Sequence, residues 1–172
     1  MENKKLKRGQ EIKLKISDLA FGGKGISKKN DLVFFVKDAI PNQEVIAKIS
    51  KIKKKYTEAY CIETIKDSTS QVNPVCEHFK WCGGCTTQQL DYKKQLHYKQ
   101  KQVSDILNKI GGKKNLDINT IIGCEYTFFY RNKMEYTFSG IPWYIGDESY
   151  DDVIIGLHVP KRFDKILNIN KC

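Results

Sequence analysis

The chain has 172 residues, a length that allows one ordinary domain or two small ones. Its 30 Lys and Arg residues outnumber its 20 Asp and Glu residues, giving a formal net charge of +10, and 40% of its residues are hydrophobic. This composition excludes a disordered tail, and no stretch approaches the roughly 20 apolar residues of a membrane span. The charged start MENKKLKRGQ does not have the pattern of a secretory signal. We therefore expect a cytoplasmic protein with no membrane partner, too short for a complete nucleotide-binding enzyme with accessory domains.

The basic charge is concentrated in the first part of the chain. Residues 1–67 carry 16 Lys and Arg against 9 Asp and Glu, whereas residues 68–172 carry 14 against 11. Lys and Arg gain affinity for phosphates by releasing condensed counterions, so this excess favours a polyanionic partner. Of the 30 basic residues 27 are lysines, a bias that a lysine-rich proteome would also produce. Charge alone therefore leaves a solvated surface as the alternative.

Residues 1–67 are predicted to form short β-strands. Apolar and polar residues alternate in 10–19 and 45–52 with the period of half-buried strands, and 32–36 and 56–65 are rich in β-forming residues. The three glycines of Phe21-Gly22-Gly23-Lys24-Gly25 predict a tight, exposed loop between strands. About five strands and no helix signal are typical of a small closed barrel of the OB type, which often presents basic and aromatic residues to single-stranded nucleic acid.

One long helix is predicted over residues 88–110, after a polar linker at 68–75. Thr86 and Gln89 fit a capping box, and Gly111-Gly112 supplies the stop. An apolar stripe follows helical spacing at Val103, Ile106, Leu107 and Ile110. The outer face carries the lysines Lys93, Lys94, Lys99, Lys101 and Lys109. Such a row is more typical of a solvated face than of a binding site.

After Gly123 the pattern returns to strands. Residues 133–138 alternate weakly, residues 153–159 form an apolar run, and an acidic turn at 146–152 lies between them. The predicted fold class is therefore mainly β with one long helix. A barrel at 1–67 is followed by the linker at 68–75 and by a small α+β domain at 76–172, which contains the helix and antiparallel strands.

Three cysteines lie within ten residues, in the pattern Cys76-x5-Cys82-x2-Cys85. Without a secretory signal, clustered cysteines indicate metal or catalysis in preference to a disulfide framework. The Gly-Gly pair between the last two lets the chain turn tightly and leaves backbone N–H groups to face the sulfurs. Zinc sites usually combine two short knuckles, whereas three clustered thiols with one distant fourth are typical of an iron–sulfur cluster. Zinc stays open as an alternative.

A fourth ligand could come from Cys61, Cys124, Cys172 or His78. Cys61 lies inside a predicted strand, where a small buried hydrophobe is the usual role. His78 is only two residues from Cys76, an awkward separation for binding the same metal. Cys124 could reach the site, and Cys172 ends the chain. From the residues alone this choice stays open.

At these residues the chain resembles the 23S ribosomal RNA uracil-5-methyltransferases that carry an N-terminal TRAM domain. The segments DLAFGGKGIS and AIPNQEVIAKISKIKKKYTEAYCIETI resemble TRAM, an OB-like RNA-binding barrel. The segment CEHFKWCGGCTTQQLDYKKQLHYKQKQV resembles the family's cluster segment, and FYRNKMEYTFSG and IIGLHVPKRFDKILNINKC resemble the strands that lead to its last cluster cysteine. The resemblance covers nearly the whole chain, and Cys-Gly-Gly-Cys is its most specific part.

The resemblance implies a 4Fe-4S cluster held by Cys76, Cys82, Cys85 and Cys172. It also implies a parent enzyme that methylates uridine C5 with S-adenosylmethionine, bound in a C-terminal domain that this chain lacks. In that family a cysteine thiolate adds to C6 of uracil and activates C5 for methyl transfer. No residue here matches that nucleophile or a cofactor site, because the glycines of FGGKG connect strands without a following helix. We therefore expect the chain alone to be inactive.

Ribosomal RNA is the expected partner, with transfer RNA as the alternative substrate, and the protein is expected to be monomeric. On the barrel, the candidate RNA contacts are Lys24, Lys53, Lys54 and Lys55, with Phe21 and Tyr56 as stacking surfaces. Core packing is the alternative role for the two aromatic residues. Arg131 and Lys133 are further candidates. Two other hypotheses stay open: a stand-alone RNA- or ribosome-binding module without an enzymatic parent, and a zinc-binding barrel protein.

Overall fold

The computed structural model describes residues 6–112, 116–140, 142–143 and 153–172. The elements in chain order are β1 (Glu11–Lys15), β2 (Asp18–Leu19), β3 (Gly25–Lys29), β4 (Leu32–Lys37), β5 (Glu44–Ile52), β6 (Tyr56–Lys66), α1 (Tyr92–Lys109), β7 (Thr137–Ser139), β8 (Pro142–Trp143), β9 (Ile154–His158) and β10 (Ile166–Asn168). The described residues are mainly β with one helix, as predicted. The predicted acidic turn at 146–152 lies outside the described residues.

The first six strands form one barrel-like sheet in the order β1-β5-β6-β4-β3-β2. Strands β4 and β6 are parallel, and every other neighbouring pair is antiparallel. Alternate residues of β1, β4, β5 and β6 point inward, so Leu14, Phe34, Val36, Ala47 and Ile49 form the core. The alternation predicted in 10–19 and 45–52 therefore corresponds to real strands, and the predicted OB-like barrel is confirmed as a barrel-like sheet.

The sequence prediction missed β3. Its sequence GISKK has one large apolar residue, and the two residues that it buries deeply are Gly25 and Ser27. A Cβ atom at Gly25 would lie 2.8 Å from both the Ala39 carbonyl oxygen and the Ile16 side chain. Close backbone packing thus replaces the apolar side chain that a pattern-based prediction needs.

The helix begins later than predicted, and the predicted capping box is wrong. Leu90 is buried and forms a bridge with Gln71, and the Asp91 N–H donates to the Ser70 carbonyl at 2.9 Å. Because this segment is extended, α1 starts only at Tyr92, and Asp91 is its N-cap, accepting from the Lys94 N–H at 3.3 Å. The C-terminal prediction is close: α1 ends at Lys109, with Gly112 in a positive-φ conformation just beyond.

Helix α1 contacts the barrel through polar residues and through Tyr98, which packs against Leu19 and Ile40. The Lys101 ammonium lies 2.6 Å from Asp18 and 2.8 Å from Asp105, and the Gln102 amide donates to the Leu19 carbonyl at 2.9 Å. Lys101, predicted on a solvated face, therefore faces the barrel. Two residues of the predicted apolar stripe, Val103 and Ile110, are 49% and 82% exposed.

The chain divides into two compact units. One comprises Met1–Val72 with Gln89–Gly123, and the other comprises Asn73–Gln88 with Cys124–Cys172. In this division α1 clusters with the barrel, whereas the sequence-based boundaries assign it to the domain at 76–172; those boundaries stay a prediction. The second unit contains a four-stranded sheet in the order β7-β9-β10-β8. Its strands were predicted to be antiparallel, but β8 and β10 are parallel, so the sheet is mixed.

Candidate functional site

Two of the predicted RNA contacts lie in the loop between β2 and β3. Phe21 is 84% exposed, so it does not pack in the core. The neighbouring Lys24 ammonium lies 3.3 Å from the Glu58 carboxylate, which offsets its charge. The loop therefore presents an aromatic surface beside a neutralised lysine.

Four further candidates lie in or next to the turn between β5 and β6. Lys53, Lys54 and Lys55 are exposed, and the Lys53 N–H donates to the Tyr56 carbonyl at 2.9 Å, which closes the turn. Tyr56 is half-buried and packs edge-to-face on Phe35, with ring centroids 5.5 Å apart. The lysines are thus accessible to a ligand, whereas part of the tyrosine ring is covered by Phe35.

The β3–β4 turn carries basic residues that the sequence analysis did not select. Lys28 and Lys29 are exposed, and they line a surface concavity with Asn30, Asp31 and Val33. Asn30 and Asp31 both have positive φ, as a two-residue hairpin turn requires. The Asn-Asp pair before a β-rich segment was the signal that could have identified this hairpin.

In the second unit, residues 76–85 form a compact hydrogen-bonded loop. The His78 carbonyl accepts the N–H groups of Trp81 at 3.1 Å and Cys82 at 2.9 Å. The Gly84 N–H points at Cys82 Sγ, 3.2 Å away, as expected for a backbone donor that faces a sulfur. Lys80 takes a positive φ of 78°, which turns the chain between the first two cysteines.

The thiols of Cys76, Cys82, Cys85 and Cys172 are free. Burial raises the pKa of the Cys82 thiol most; the Gly84 N–H lowers it, and the other three thiols raise it further. A bound cation relieves repulsion between neighbouring thiolates, and four thiols are a donor set that suits a thiolate-binding metal group chemically. Within the described residues, however, no three His, Cys, Asp or Glu side chains converge as metal ligands do.

The other sequence candidates for the fourth ligand lie in different surroundings. Cys61 is in β6 of the barrel, where its thiol donates to the Glu63 carbonyl. Cys124 is exposed, and its thiol donates to the Tyr126 carbonyl at 3.0 Å. Neither is among the groups that shift the Cys82 pKa, whereas Cys172 is.

Two contacts hold the Gly-Gly turn against the rest of the second unit. The Gly83 N–H donates to the His158 carbonyl at 3.2 Å, and a Cβ at Gly83 would lie 2.9 Å from that oxygen. The Arg131 guanidinium donates to the Gly84 carbonyl at 2.9 Å. Tyr130 raises the pKa of Arg131 most, and Cys85 and Cys172 raise it further. Arg131, predicted as an RNA contact, therefore lies beside the thiols.

A third contact connects the loop to the end of the chain. His78 is 7% exposed, and its Nε2 accepts the Asn170 N–H at 3.4 Å, two residues before Cys172; the Glu77 carboxylate lies 3.4 Å from the same nitrogen. The histidine dismissed as an awkward ligand thus bridges the two segments that carry the four thiols. By contrast, Lys133, the remaining predicted RNA contact, is exposed and pairs with Glu135 at 2.9 Å.

Known proteins resemble this barrel and the chain around it. The TRAM domain family matches residues 5–61, which cover most of the barrel strands. An uncharacterized RNA methyltransferase of Bacteroides thetaiotaomicron is 43% identical over 160 residues, which cover 90% of this chain and 35% of that protein. One from Porphyromonas gingivalis is 34% identical over 168 residues, covering 92% of this chain and 36% of that protein.

The fold also resembles a solved structure. The crystal structure of Pyrococcus abyssi tRNA (uracil-54, C5)-methyltransferase in complex with S-adenosyl-L-homocysteine matches 93% of this chain and 32% of that chain, with a TM-score of 0.55 and 23% sequence identity. The barrel of the present chain is a TRAM domain. Over nearly its whole length, the chain is similar to proteins named RNA methyltransferases. It spans about a third of the length of the relatives that it matches.

The described part of the chain offers no candidate for a membrane span. Its single helix, α1, is rich in lysine and glutamine, and none of the described helices combines the length and the apolar character that crossing a bilayer requires.

Proposed function

We propose that this chain is the RNA-recognition and 4Fe-4S-binding portion of an S-adenosylmethionine-dependent RNA uridine-5-methyltransferase that acts on 23S ribosomal RNA. The observation that carries the proposal is the similarity of nearly the whole chain to proteins named RNA methyltransferases, combined with a TRAM domain at residues 5–61. The sequence resemblance supplies the choice of ribosomal RNA and of uridine C5. The methylation chemistry is assigned to the remainder of the parent protein, and no residue of this chain is given a catalytic role.

The cluster part of the proposal rests on the four thiols. Cys76, Cys82, Cys85 and Cys172 would hold the group, and its chemistry here would be that of a structural cross-link between the 76–85 loop and the end of the chain. The assignment is supported by the effect of the other three thiols on the Cys82 pKa and by the Gly84 N–H beside Cys82 Sγ. The chain's own residues orient the loop, through the His78 carbonyl and the Gly83 N–H.

Two experiments test the proposal separately. Anaerobic purification should yield a brown protein with broad visible absorption and bound iron and sulfide; a colourless protein containing zinc would contradict the iron–sulfur assignment. Incubation of the parent protein with labelled S-adenosylmethionine and ribosomal RNA should yield 5-methyluridine, detected by nucleoside analysis. No turnover on any RNA would contradict the enzyme assignment and favour an RNA-binding module.

Transfer RNA is the second candidate substrate, because the name of the structurally similar Pyrococcus abyssi protein specifies that RNA. The same assay with transfer RNA in place of ribosomal RNA distinguishes the two. Methylation of transfer RNA alone would overturn the ribosomal assignment and leave the reaction class intact.

A further inference from the structure

The register of the barrel sheet brings two separate basic turns together. Strands β4 and β6 are parallel neighbours, and Val33 pairs with Tyr56, so both strands begin at the same end of the sheet. Lys28 pairs with Val33 on the other side of β4. With strands about 4.8 Å apart, Lys28 and Tyr56 lie about 10 Å apart along one row across three strands. The β3–β4 turn and the β5–β6 turn are therefore neighbours.

The lysines of these two turns form one surface, which we call the basic end: Lys28, Lys29, Lys53, Lys54 and Lys55. All five are exposed. Among the described residues, none of their ammonium groups lies within 4.0 Å of a carboxylate. Lys29 donates to the Lys13 carbonyl at 3.1 Å, which leaves its charge uncompensated.

Three lysines elsewhere on the barrel are compensated by carboxylates. Lys13 pairs with Glu44 at 3.2 Å, Lys24 with Glu58 at 3.3 Å, and Lys37 with Asp38 at 3.4 Å. Like charges within a Debye length, about 8 Å at physiological salt, repel and destabilise the fold. The basic end carries this cost, and a polyanion is the ligand that would relieve it.

We propose that the basic end binds the phosphate backbone of a single RNA strand. This proposal rests on the proposed function as an RNA-binding chain and assigns that binding to one end of the barrel. The edge-to-face pair of Tyr56 and Phe35 begins at the same end, so a base next to the bound phosphates meets an aromatic surface. The Phe21 loop, next to β3 residue Gly25, lies toward the opposite end, because Gly25 pairs with Val36 at the far side of β4. The two groups of predicted RNA contacts therefore do not form one surface.

The salt dependence of RNA binding tests this assignment with charge-matched variants. The K53Q/K54Q/K55Q variant removes three charges from the basic end. The control, K15Q/K37Q/K66Q, removes three exposed charges from strand ends at the opposite end of the sheet. The strand register places them there, since Lys15 pairs with Glu44, Glu44 with Lys66, and Lys37 with Tyr60. A K28Q/K29Q variant tests the second turn separately.

Binding of the 172-residue chain to a short single-stranded RNA of mixed sequence is measured at several salt concentrations. In a plot of log K against log salt, each phosphate contact with a single strand contributes about 0.7 to the magnitude of the slope. The basic-end triple variant should reduce the slope by about 2 and K28Q/K29Q by about 1.4, whereas the control should leave it unchanged. Far-UV circular dichroism checks that each variant is folded.

The other outcomes separate two failures. Equal slope changes in the triple variant and its control would show a response to net charge alone and overturn the assignment to the basic end. RNA binding that survives unchanged in both basic-end variants would place RNA elsewhere and leave the proposed function standing. Absence of RNA binding by the unaltered chain would overturn both.

Discussion

Gly83 is the residue of the Cys-Gly-Gly-Cys segment at which a single methyl group should do the most damage. A Cβ there would lie 2.9 Å from the His158 carbonyl oxygen, closer than Cβ atoms approach backbone oxygens, and 3.7 Å from the Pro160 Cα. The obstacle is backbone, so it cannot rotate away as a side chain would. In G83A the turn must move, which lengthens the 3.2 Å hydrogen bond from the Gly83 N–H to the same oxygen.

The expected cost is about 1–3 kcal/mol of unfolding free energy, the range for an extra methyl in a packed site. At about 2 kcal/mol the ratio of folded to unfolded second unit falls roughly 30-fold. Gly140 provides the matched control, because a Cβ built there meets no heavy atom within 4 Å. G140A should be neutral, or stabilising by up to about 1 kcal/mol through the unfolded state.

Tryptophan fluorescence isolates the relevant unit. The chain has two tryptophans, Trp81 and Trp143, and both belong to the second compact unit. Urea unfolding followed by tryptophan fluorescence should give a lower midpoint for G83A with an unchanged m-value. If G83A and G140A unfold at the same midpoint, the close approach to His158 does not constrain the turn, and the reasoning is refuted.

Three further predictions concern the thiols and the helix. C172A should lose bound iron in an iron and sulfide assay while C124A retains it; retention by C172A with loss by C124A would transfer the fourth ligand to Cys124. Replacing Arg131 with Gln removes the donor to the Gly84 carbonyl and a positive charge beside the thiols. Iron should therefore dissociate faster in the presence of a chelator, while the salt dependence of RNA binding stays unchanged. A changed salt dependence would show that Arg131 contacts RNA. K101M should cost about 1 kcal/mol at neutral pH, in the range for partly exposed ion pairs. Lys101 lowers the folded-state pKa of Asp105. The stabilisation of the fold by this ion pair is therefore present above the ordinary carboxyl pKa of 3.8 and is lost as pH falls through the lowered pKa. Thermal unfolding curves should therefore show a smaller difference between K101M and the unaltered chain at acid pH than at pH 7, and a constant difference would contradict this.

The barrel strands could be predicted because their signal is local. In β5, residues Val45, Ala47 and Ile49 are buried, and the alternation that reveals them is visible in nine consecutive residues. Strand β3 could not be found in that way, since Gly25 is buried by the approach of the Ala39 carbonyl and not by hydrophobicity.

The predicted start of the helix was wrong for a different reason. Thr86 and Gln89 have the composition of a cap, but the pairing of Leu90 with Gln71 keeps the chain extended until Asp91. That pairing joins residues 19 positions apart, so no local pattern contains it. Lys101 shows the same limit: its sequence context is typical of a solvated face, and its partner Asp18 lies 83 residues away.

For the candidate sites, the sequence alone was enough to select the residue types: the spacing of Cys76, Cys82 and Cys85 and the lysine run at 53–55 are readable without a fold. Their companions depended on tertiary structure. Lys28 and Lys29 join Lys53–Lys55 only because β4 and β6 are parallel neighbours, and His78 meets Asn170 across 92 residues of chain. Side-chain periodicity and spacing are properties of consecutive residues. The pairing of distant strands is decided by burial of their common core. That pairing brings together residues whose own sequence contains no signal of their neighbours.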